Sequence, residues 1–172
     1  WQMDAAPMIE QGDATHINFA LRDDIGFTNG HGAMTAEDVK FSFERIIADA
    51  TGSPNKPDMG PLSHVEVTGE REGTIVLKDP FAPLWTIALP YITGNIVSKA
   101  ATEAAGGRIG IDPVAESGPY LRTSWVAKEK TVLTRNPDWK GEAPAWDSIE
   151  ILPIDDESTA EIAFDSDEID LT

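Results

Sequence analysis

Residues 32–46, GAMTAEDVKFSFERI, constrain the fold most, because they predict an amphipathic helix from Thr35 to about Ala48. Thr35 is a suitable N-cap, and Asp38, three residues later, can return a hydrogen bond in an aspartate variant of the capping box. At about 100° per residue the apolar side chains fall on one broad face, with Phe41 nearly opposite. The members of this face are Ala36, Val39, Phe43, Ile46, Ile47 and Ala50. The segment carries no nucleophile–base pair and no cluster of metal ligands. We therefore interpret the helix as structural.

Composition excludes several classes of function. The 172 residues are 41% hydrophobic and 25% charged, which is enough apolar material for a packed core. Thirty acidic against thirteen basic residues give a formal charge of −17, which disfavours nucleic acid and anionic membranes as partners. The absence of cysteine excludes disulfides, thiolate zinc sites and cysteine nucleophiles. We predict no cofactor.

Strand and helix patterns alternate along the chain, which predicts a mixed α/β fold. Alternation around Ile17, Phe19 and Leu21 has the period of a half-buried strand. HVEVTG and TIVLKD predict two strands joined by an acidic turn, and the interior of PFAPLWTIALP predicts a short buried helix. YITGN predicts a short strand, followed by a helix that begins near Ser98 and ends at the Gly106-Gly107 pair.

Glycine and proline concentrate in residues 106–113, where we predict a crossing between two subdomains. Beyond it, the sequence predicts two strands, a loop, a third strand and a short helix capped by Asp155 or Asp156. The opening segment, WQMDAAPMIEQGD, lacks the basic region and apolar stretch of a signal peptide. We expect the sequence to be a piece of a longer protein. Large aromatic residues dominate core burial, so we expect these tryptophans to be packed: Trp85, Trp125, Trp139 and Trp146.

The segment FALRDDIGFTNGHGAMTAEDVKFSFERI resembles the signature stretch of the family 5 extracytoplasmic solute-binding proteins of ABC transporters. This group includes dipeptide-, oligopeptide- and nickel-binding proteins. The resemblance continues in family order to Leu171, through VEVTG, TIVLKDPFAPLW, SGPYLRTSW, VLTRNPDWKGEAPAWDSIEILPI and STAEIAFDSDEIDL. It departs at the turn NGHGAM, which is one residue longer than usual, and at Glu116 and Asp167, where glycine is common. These departures affect local turn geometry.

The resemblance implies a fragment of a two-lobed periplasmic-binding-protein-like fold. Residues 1–111 would form the small α/β subdomain of the N-terminal lobe, and residues 112–172 an incomplete part of that lobe's main sheet. The second lobe would lie in chain outside this sequence. The implied function is capture of a peptide-like or related small solute outside the cytoplasmic membrane. The lobes would close on the solute, and an ABC permease in the membrane would receive it. The implied protein is not an enzyme and is periplasmic or extracellular.

Ligand contacts in this family come from aromatic and a few charged side chains, many of them in the second lobe. In nickel-type relatives two regions face the cleft, and they correspond here to residues 54–60 and 89–95. Their residues do not match the family motif, so no residue role transfers directly. Tyr91 is a candidate for stacking and Asn95 for amide contacts with a solute, and Met59 is a third candidate. Peptides, opine-like compounds and metal chelates all stay open.

Other chemistries have weaker support in the sequence. His16, His31 and His64 are scattered without a helical i,i+4 partner, so we predict no metal site. The acid pairs Asp23/Asp24 and Asp155/Asp156 would suit a carboxylate-dependent hydrolase only at a fixed separation with split pKa values. Adjacent acids on turns are more often solvated or capping. A stand-alone protein-interaction module, using Phe41 and the acidic surface, is the other alternative.

Overall fold

The computed structural model describes residues 5–171, so the first four residues of the predicted subdomain and Thr172 lie outside the described part. The chain divides into two compact units, with unit 1 ending at Ser117 and unit 2 beginning at Gly118. The glycine-rich crossing predicted at residues 106–113 lies just before this division. The assignment of the two parts to a subdomain and a main sheet stays a prediction. No helix within residues 5–171 is long and apolar enough to cross a membrane.

Unit 1 is built on a four-stranded antiparallel sheet with the order β1-β2-β6-β5. Every second residue of β2 is buried, as the alternation predicts, with Ile17 and Phe19 only 2% and 3% exposed. Gly73 lies opposite Phe19, where a Cβ atom would approach the Phe19 ring to 2.6 Å. Glycine is therefore required for the ring to cross this strand. The strands are β1 Met8–Gln11, β2 His16–Ala20, β5 Leu62–Val67 and β6 Glu72–Leu77, with a separate small pair β3 Gly26–Phe27 and β4 Gly32–Ala33.

The helix α1, Ala36–Ile47, packs on this sheet, which confirms the predicted helix and part of its apolar face. Val39 and Phe43 are each 3% exposed. Phe41 is half-buried, with the Arg45 guanidinium 5.8 Å from its ring centroid, so a side chain of its own helix covers it. Ala50, predicted to share the apolar face, lies exposed beyond the end of the helix.

Two polar side chains of α1 are buried, and they bind the helix to residues 97–99. Asp38 Oδ2 accepts hydrogen bonds from the Thr35 N–H (2.9 Å) and hydroxyl (2.8 Å), which supplies the predicted return bond. Asp38 Oδ1 accepts the Lys99 N–H at 2.8 Å. The Ser42 hydroxyl donates to the Asp38 carbonyl and accepts the Val97 N–H at 2.9 Å. We call these contacts the α1 anchor.

The outer edge of the sheet at β5 is covered by side chains of the same helix. Glu44 Oε1 accepts the Val65 N–H at 3.0 Å, and Lys40 Nζ donates to the Val65 carbonyl at 2.8 Å. Lys40 and Glu44 also pair with each other at 2.8 Å. An exposed strand edge is open to pairing with other chains, and these contacts close it at Val65.

The segment between β6 and α2 runs as tight turns. Leu84–Ala88 forms a π-helical turn with Leu84 and Ala88 fully buried, consistent with the predicted short helix. The strand predicted for YITGN is wrong, because Ile92–Gly94 forms a 3-10 turn. Thr93 donates from its buried hydroxyl to the Ala88 carbonyl at 2.6 Å, which holds the chain back on itself. The predicted helix at Ser98 is present as α2, Lys99–Ala104, with the Ser98 hydroxyl accepting the Ala101 N–H.

Unit 2 is a three-stranded antiparallel sheet in the order β7-β8-β9, followed by α3. Its elements are β7 Tyr120–Val126, β8 Lys130–Arg135, β9 Ser148–Ile151 and α3 Glu157–Asp165. Asp156 caps α3 by accepting the Thr159 N–H at 2.8 Å, as predicted. The expected packing of two tryptophans is wrong, since Trp125 is 45% and Trp146 66% exposed. Few side chains cover either face of this sheet, so it offers these rings no core.

We expect Asp38→Ala to lower the free energy of unfolding by about 2–4 kcal/mol, because three donors lose a partly buried carboxylate acceptor. Asp38→Asn keeps the shape of the side chain and should cost roughly half as much. Urea denaturation of the protein that carries this chain measures both. Glu37→Ala is the matched control, since Glu37 pairs with Lys99 Nζ at the exposed surface and should cost under about 0.5 kcal/mol. Equal losses for Asp38→Ala and Glu37→Ala would contradict the anchor.

Candidate functional site

A cavity of about 640 Å³ lies in unit 1, between the β1–β2 end of the sheet and residues 85–96. Its floor is apolar and is formed by the inner faces of β2, β6 and α1. No charged side chain belongs to its lining, although the chain as a whole carries a formal charge of −17. The floor residues are Phe19, Leu21, Val39, Phe43 and Ile75. Such a floor favours an uncharged apolar group.

Tyr91 and Asn95 lie together at the mouth of this cavity. The 3-10 turn places them there, with the Gly94 N–H bonded to the Tyr91 carbonyl at 2.9 Å and the Asn95 N–H to the Ile92 carbonyl at 3.3 Å. Tyr91 is 69% exposed and Asn95 is also exposed, so both side chains are accessible. The structure thus brings two of the three predicted contact residues to one opening, and their contact with a solute stays a prediction.

Met59, the third candidate, lies elsewhere in unit 1. It ends the 3-10 turn Lys56–Met59 and is 0% exposed, and it does not belong to the cavity lining. The next residue, Gly60, has φ +52°, and a Cβ atom there would come within 2.5 Å of the Phe81 ring. The 0% exposure of Met59 places its side chain within the core of unit 1. Contact between Met59 and a solute stays a prediction, and the core encloses the Met59 side chain.

The cavity wall contains residues that sequence patterns predict only as core. Trp85 is half-buried in the wall, and Thr86 lies exposed beside it. The only sequence signal for them is the proline at each end of this segment, Pro83 and Pro90. Two prolines restrict where a helix can begin and end, but they do not predict that it overhangs a sheet.

Two of the three histidines pair with neighbouring acids at the surface. His16 Nδ1 lies 2.9 Å from Asp13 Oδ1, and His64 Nε2 lies 3.4 Å from Glu66 Oε1. Nowhere in residues 5–171 do three histidine, cysteine, aspartate or glutamate side chains come close enough to hold a metal ion. Each pair therefore acts within its own turn or strand.

One acid of each adjacent pair has a structural role. Asp24 accepts two hydrogen bonds from the Arg22 guanidinium, each 2.7 Å long, and these contacts lower the pKa of Asp24. The Thr159 hydroxyl and N–H lower the pKa of Asp156 at the cap of α3. A general acid needs a raised pKa, so both shifts run against the hydrolase alternative at these two positions.

Residues 8–172 match the family described as bacterial extracellular solute-binding proteins, family 5 Middle. The chain belongs to this family. Among curated relatives, the probable D,D-dipeptide-binding periplasmic protein DdpA of Escherichia coli K12 is 28% identical over 163 residues, covering 92% of this chain and 31% of DdpA. The periplasmic oligopeptide-binding protein OppA of Salmonella typhimurium is 26% identical over 183 residues, covering 95% of this chain and 33% of OppA. The chain spans about a third of the length of these relatives.

Solved structures of similar proteins confirm the predicted mixed α/β, binding-protein-like fold. The solute-binding protein MoaA of A. tumefaciens R10, in complex with mannopinic acid, matches with a TM-score of 0.82 and 25% identity, over 98% of this chain and 34% of MoaA. NikA of Brucella suis, in complex with Fe(III)-EDTA, matches with a TM-score of 0.75 and 29% identity, over 96% of this chain and 33% of NikA. The family 5 chain therefore corresponds to one third of a larger binding protein in each case.

The turn between β1 and β2 contains a carboxylate, that of Asp13, whose pKa is lowered in the folded chain. Hydrogen bonds from the Thr15 backbone N–H and then from His16 lower the pKa of Asp13 from 3.8 to about 2. A lowered pKa stabilises the fold above the unfolded-state value, and that stabilisation is lost as the pH falls through the folded-state value. We expect Asp13→Asn to lower the melting temperature at about pH 6, and the difference from wild type to shrink toward about pH 2.

An NMR titration of the Asp13 carboxyl carbon measures the pKa directly. Asp23→Asn removes the same charge from another exposed loop and is the control for net charge. A difference between wild type and Asp13→Asn that stays constant down to about pH 2 would show that the carboxylate contributes nothing to the folded turn.

Proposed function

We propose that this chain is part of the solute-binding component of an ABC importer, which captures a small solute outside the cytoplasmic membrane for a permease. Membership of family 5 over residues 8–172 carries the proposal. Relatives with dipeptide-, oligopeptide- and nickel-binding names support a peptide-like or related solute, with opine-like compounds and metal chelates as the other classes. The periplasmic names of these relatives support a periplasmic or extracellular location.

Tyr91 and Asn95 are the solute contacts that we propose within this chain. The Tyr91 ring offers an exposed apolar face with a hydroxyl at its end, and the Asn95 amide can both donate and accept. Aromatic faces with a few convergent polar groups are typical of small-molecule sites. The second lobe of the same protein would supply the opposite side of the site and close on the solute. The free energy of solute binding would then shift an open–closed equilibrium, without catalysis.

Exposed apolar side chains in unit 2 support the proposal that further chain of the whole protein packs there. Trp146 is 66% and Ile151 51% exposed, and a soluble protein seldom leaves so many large apolar groups in water. The other exposed members are Trp125, Val126, Leu152, Ile162, Phe164 and Leu171. A sheet with so little core of its own gains stability when further chain packs against an apolar face.

Mass spectrometry of the solute that the full-length protein retains through native purification tests the proposed function. We expect a peptide, opine-like compound or metal chelate at a defined stoichiometry. Calorimetry with that solute should then give binding to the full-length protein and weak or no binding to the isolated chain. Micromolar binding by the isolated chain would contradict the need for a second lobe, and chemical conversion of the retained solute would contradict a binding function.

Substitution of the two mouth residues tests the proposed contacts. We expect Tyr91→Ala and Asn95→Ala each to weaken solute binding by the full-length protein about tenfold, the effect of losing about 1.4 kcal/mol of contact free energy. Because both side chains are exposed, the melting temperature should change little. Ile87→Ala is the matched control, since Ile87 is 49% exposed on the same segment but does not line the cavity. Equal affinity in all four proteins, measured by calorimetry, would remove both residues from the site.

A dye that binds exposed apolar surface tests the proposal that further chain of the whole protein packs on unit 2. We expect the isolated chain to bind anilinonaphthalene sulfonate strongly, because the exposed groups of unit 2 have nothing over them. The full-length protein, at equal molar concentration, should bind much less. Changing Trp146 and Ile151 together to serine should reduce dye fluorescence in the isolated chain. Equal fluorescence from the isolated chain and the full-length protein would contradict the cover.

A further inference from the structure

The two edges of the unit 1 sheet differ in whether their outward-facing backbone N–H and C=O groups have hydrogen-bond partners. At β5, Lys40 and Glu44 bind the outward carbonyl and N–H of Val65. At the other edge, β1 pairs with β2 alone. Among residues 5–171, no side chain forms a hydrogen bond to the outward-facing backbone groups of β1. The β5 edge is therefore covered at Val65, whereas the described residues provide no corresponding cover on β1.

The register shows which residues of β1 present their backbone to this edge. The Gly12 N–H donates to the His16 carbonyl at 2.8 Å, which starts the β1–β2 ladder at this pair. Hydrogen-bonded pairs alternate along an antiparallel ladder, so the backbones of Glu10 and Met8 also face β2. The Leu77 N–H bond to the Thr15 carbonyl, on the opposite side of β2, fits the same alternation. The backbone N–H and C=O groups of Ile9 and Gln11 therefore point outward.

Ile9 combines this outward-facing backbone with a side chain that lines the apolar cavity. It lies opposite Phe19, another lining residue, so the two share one face of the sheet. Residues directly opposite each other on neighbouring strands project to the same face. A residue paired with Ile9 on a fifth strand would therefore direct its side chain toward the cavity, where no lining group carries a charge.

We propose that the β1 edge is a strand-addition site for an extended peptide segment that places an apolar side chain opposite Ile9, in the cavity. Backbone hydrogen bonds to Ile9 and Gln11 would hold the segment, and the cavity would select its side chain. Glu10 on β1 and the formal charge of −17 disfavour an acidic segment and favour lysine or arginine at its ends. The site uses the outward backbone of β1, which the solute contacts proposed at Tyr91 and Asn95 do not use, and it shares their cavity.

Amide hydrogen exchange at single-residue resolution, on the full-length protein, tests the site. The probe is the blocked hexapeptide acetyl-Lys-Thr-Phe-Thr-Val-Lys-amide. At saturating probe we expect exchange of the Ile9 and Gln11 amides to slow at least about tenfold, since each gains a backbone acceptor, while Glu10, already bonded to β2, changes little. The same peptide with aspartate in place of phenylalanine should give no protection.

Three results would overturn the proposal. Ile9 and Gln11 amides that are already protected without peptide would mean that the whole protein covers this edge itself. Protection without peptide that rises with protein concentration would mean that a second copy occupies it. Protection only at residues outside β1 would place the peptide elsewhere, including the solute site, without bearing on the proposed function.

Two pairs of variants test separately the contributions of the backbone hydrogen bonds and of the cavity to peptide binding. Gln11→Pro removes one outward N–H, and we expect about tenfold weaker peptide binding, whereas Gln11→Ala keeps the N–H and should bind as wild type. Ala6→Phe adds a ring to the cavity lining and should weaken binding at least as much. Ala100→Phe, at an exposed position of α2, is its control. If Gln11→Pro fails to fold, N-methylation of the peptide amide that faces Ile9 removes the equivalent bond, and unchanged affinity would contradict strand addition.

Discussion

Buried polar groups on α1 determine how unit 1 is assembled. Asp38 and Ser42 are only 7% and 2% exposed, and each bonds to a backbone N–H of the segment that leads into α2. A buried carboxylate or hydroxyl is costly unless its bonds are made, so the helix and this segment must come together in one register. Lys40 and Glu44 have the same effect at β5, where they form hydrogen bonds with the backbone carbonyl and N–H of Val65.

The cavity follows from this arrangement. The chain reaches the anchor at Val97 and Lys99 only after the turns at Leu84–Ala88 and Ile92–Gly94, and those turns cross the β1–β2 end of the sheet. Helix α1 packs chiefly against β5, at the opposite edge. These turns therefore form a wall of the cavity over β2, and they bring Tyr91 and Asn95 to its opening. Helix α1 thereby positions a candidate binding surface, to which it contributes the apolar floor residues Val39 and Phe43.

Local chemistry in the sequence predicts the elements well, and tertiary contacts explain the failures. Alternation predicts β2, and the Thr35–Asp38 and Ser98 signals predict both helix starts, because each depends on neighbouring residues. The YITGN strand is wrong because a buried Thr93 bonds backward to Ala88, which no periodicity shows. The predicted burial of tryptophans in unit 2 is wrong because residues 118–171 do not supply the side chains that would pack against these rings. Of the candidate site, sequence patterns and family resemblance predict Tyr91 and Asn95, but not the cavity that joins them.

The central claim is that the α1 anchor and the segment before α2 form one cooperative unit. Native-state amide hydrogen exchange of Val97 and Lys99 in the full-length protein tests it most directly, since their N–H groups bond to Ser42 and Asp38. We expect both amides to exchange as slowly as those in the middle of α1, and with the same dependence on denaturant. Fast exchange of Val97 and Lys99 while α1 stays protected would contradict it.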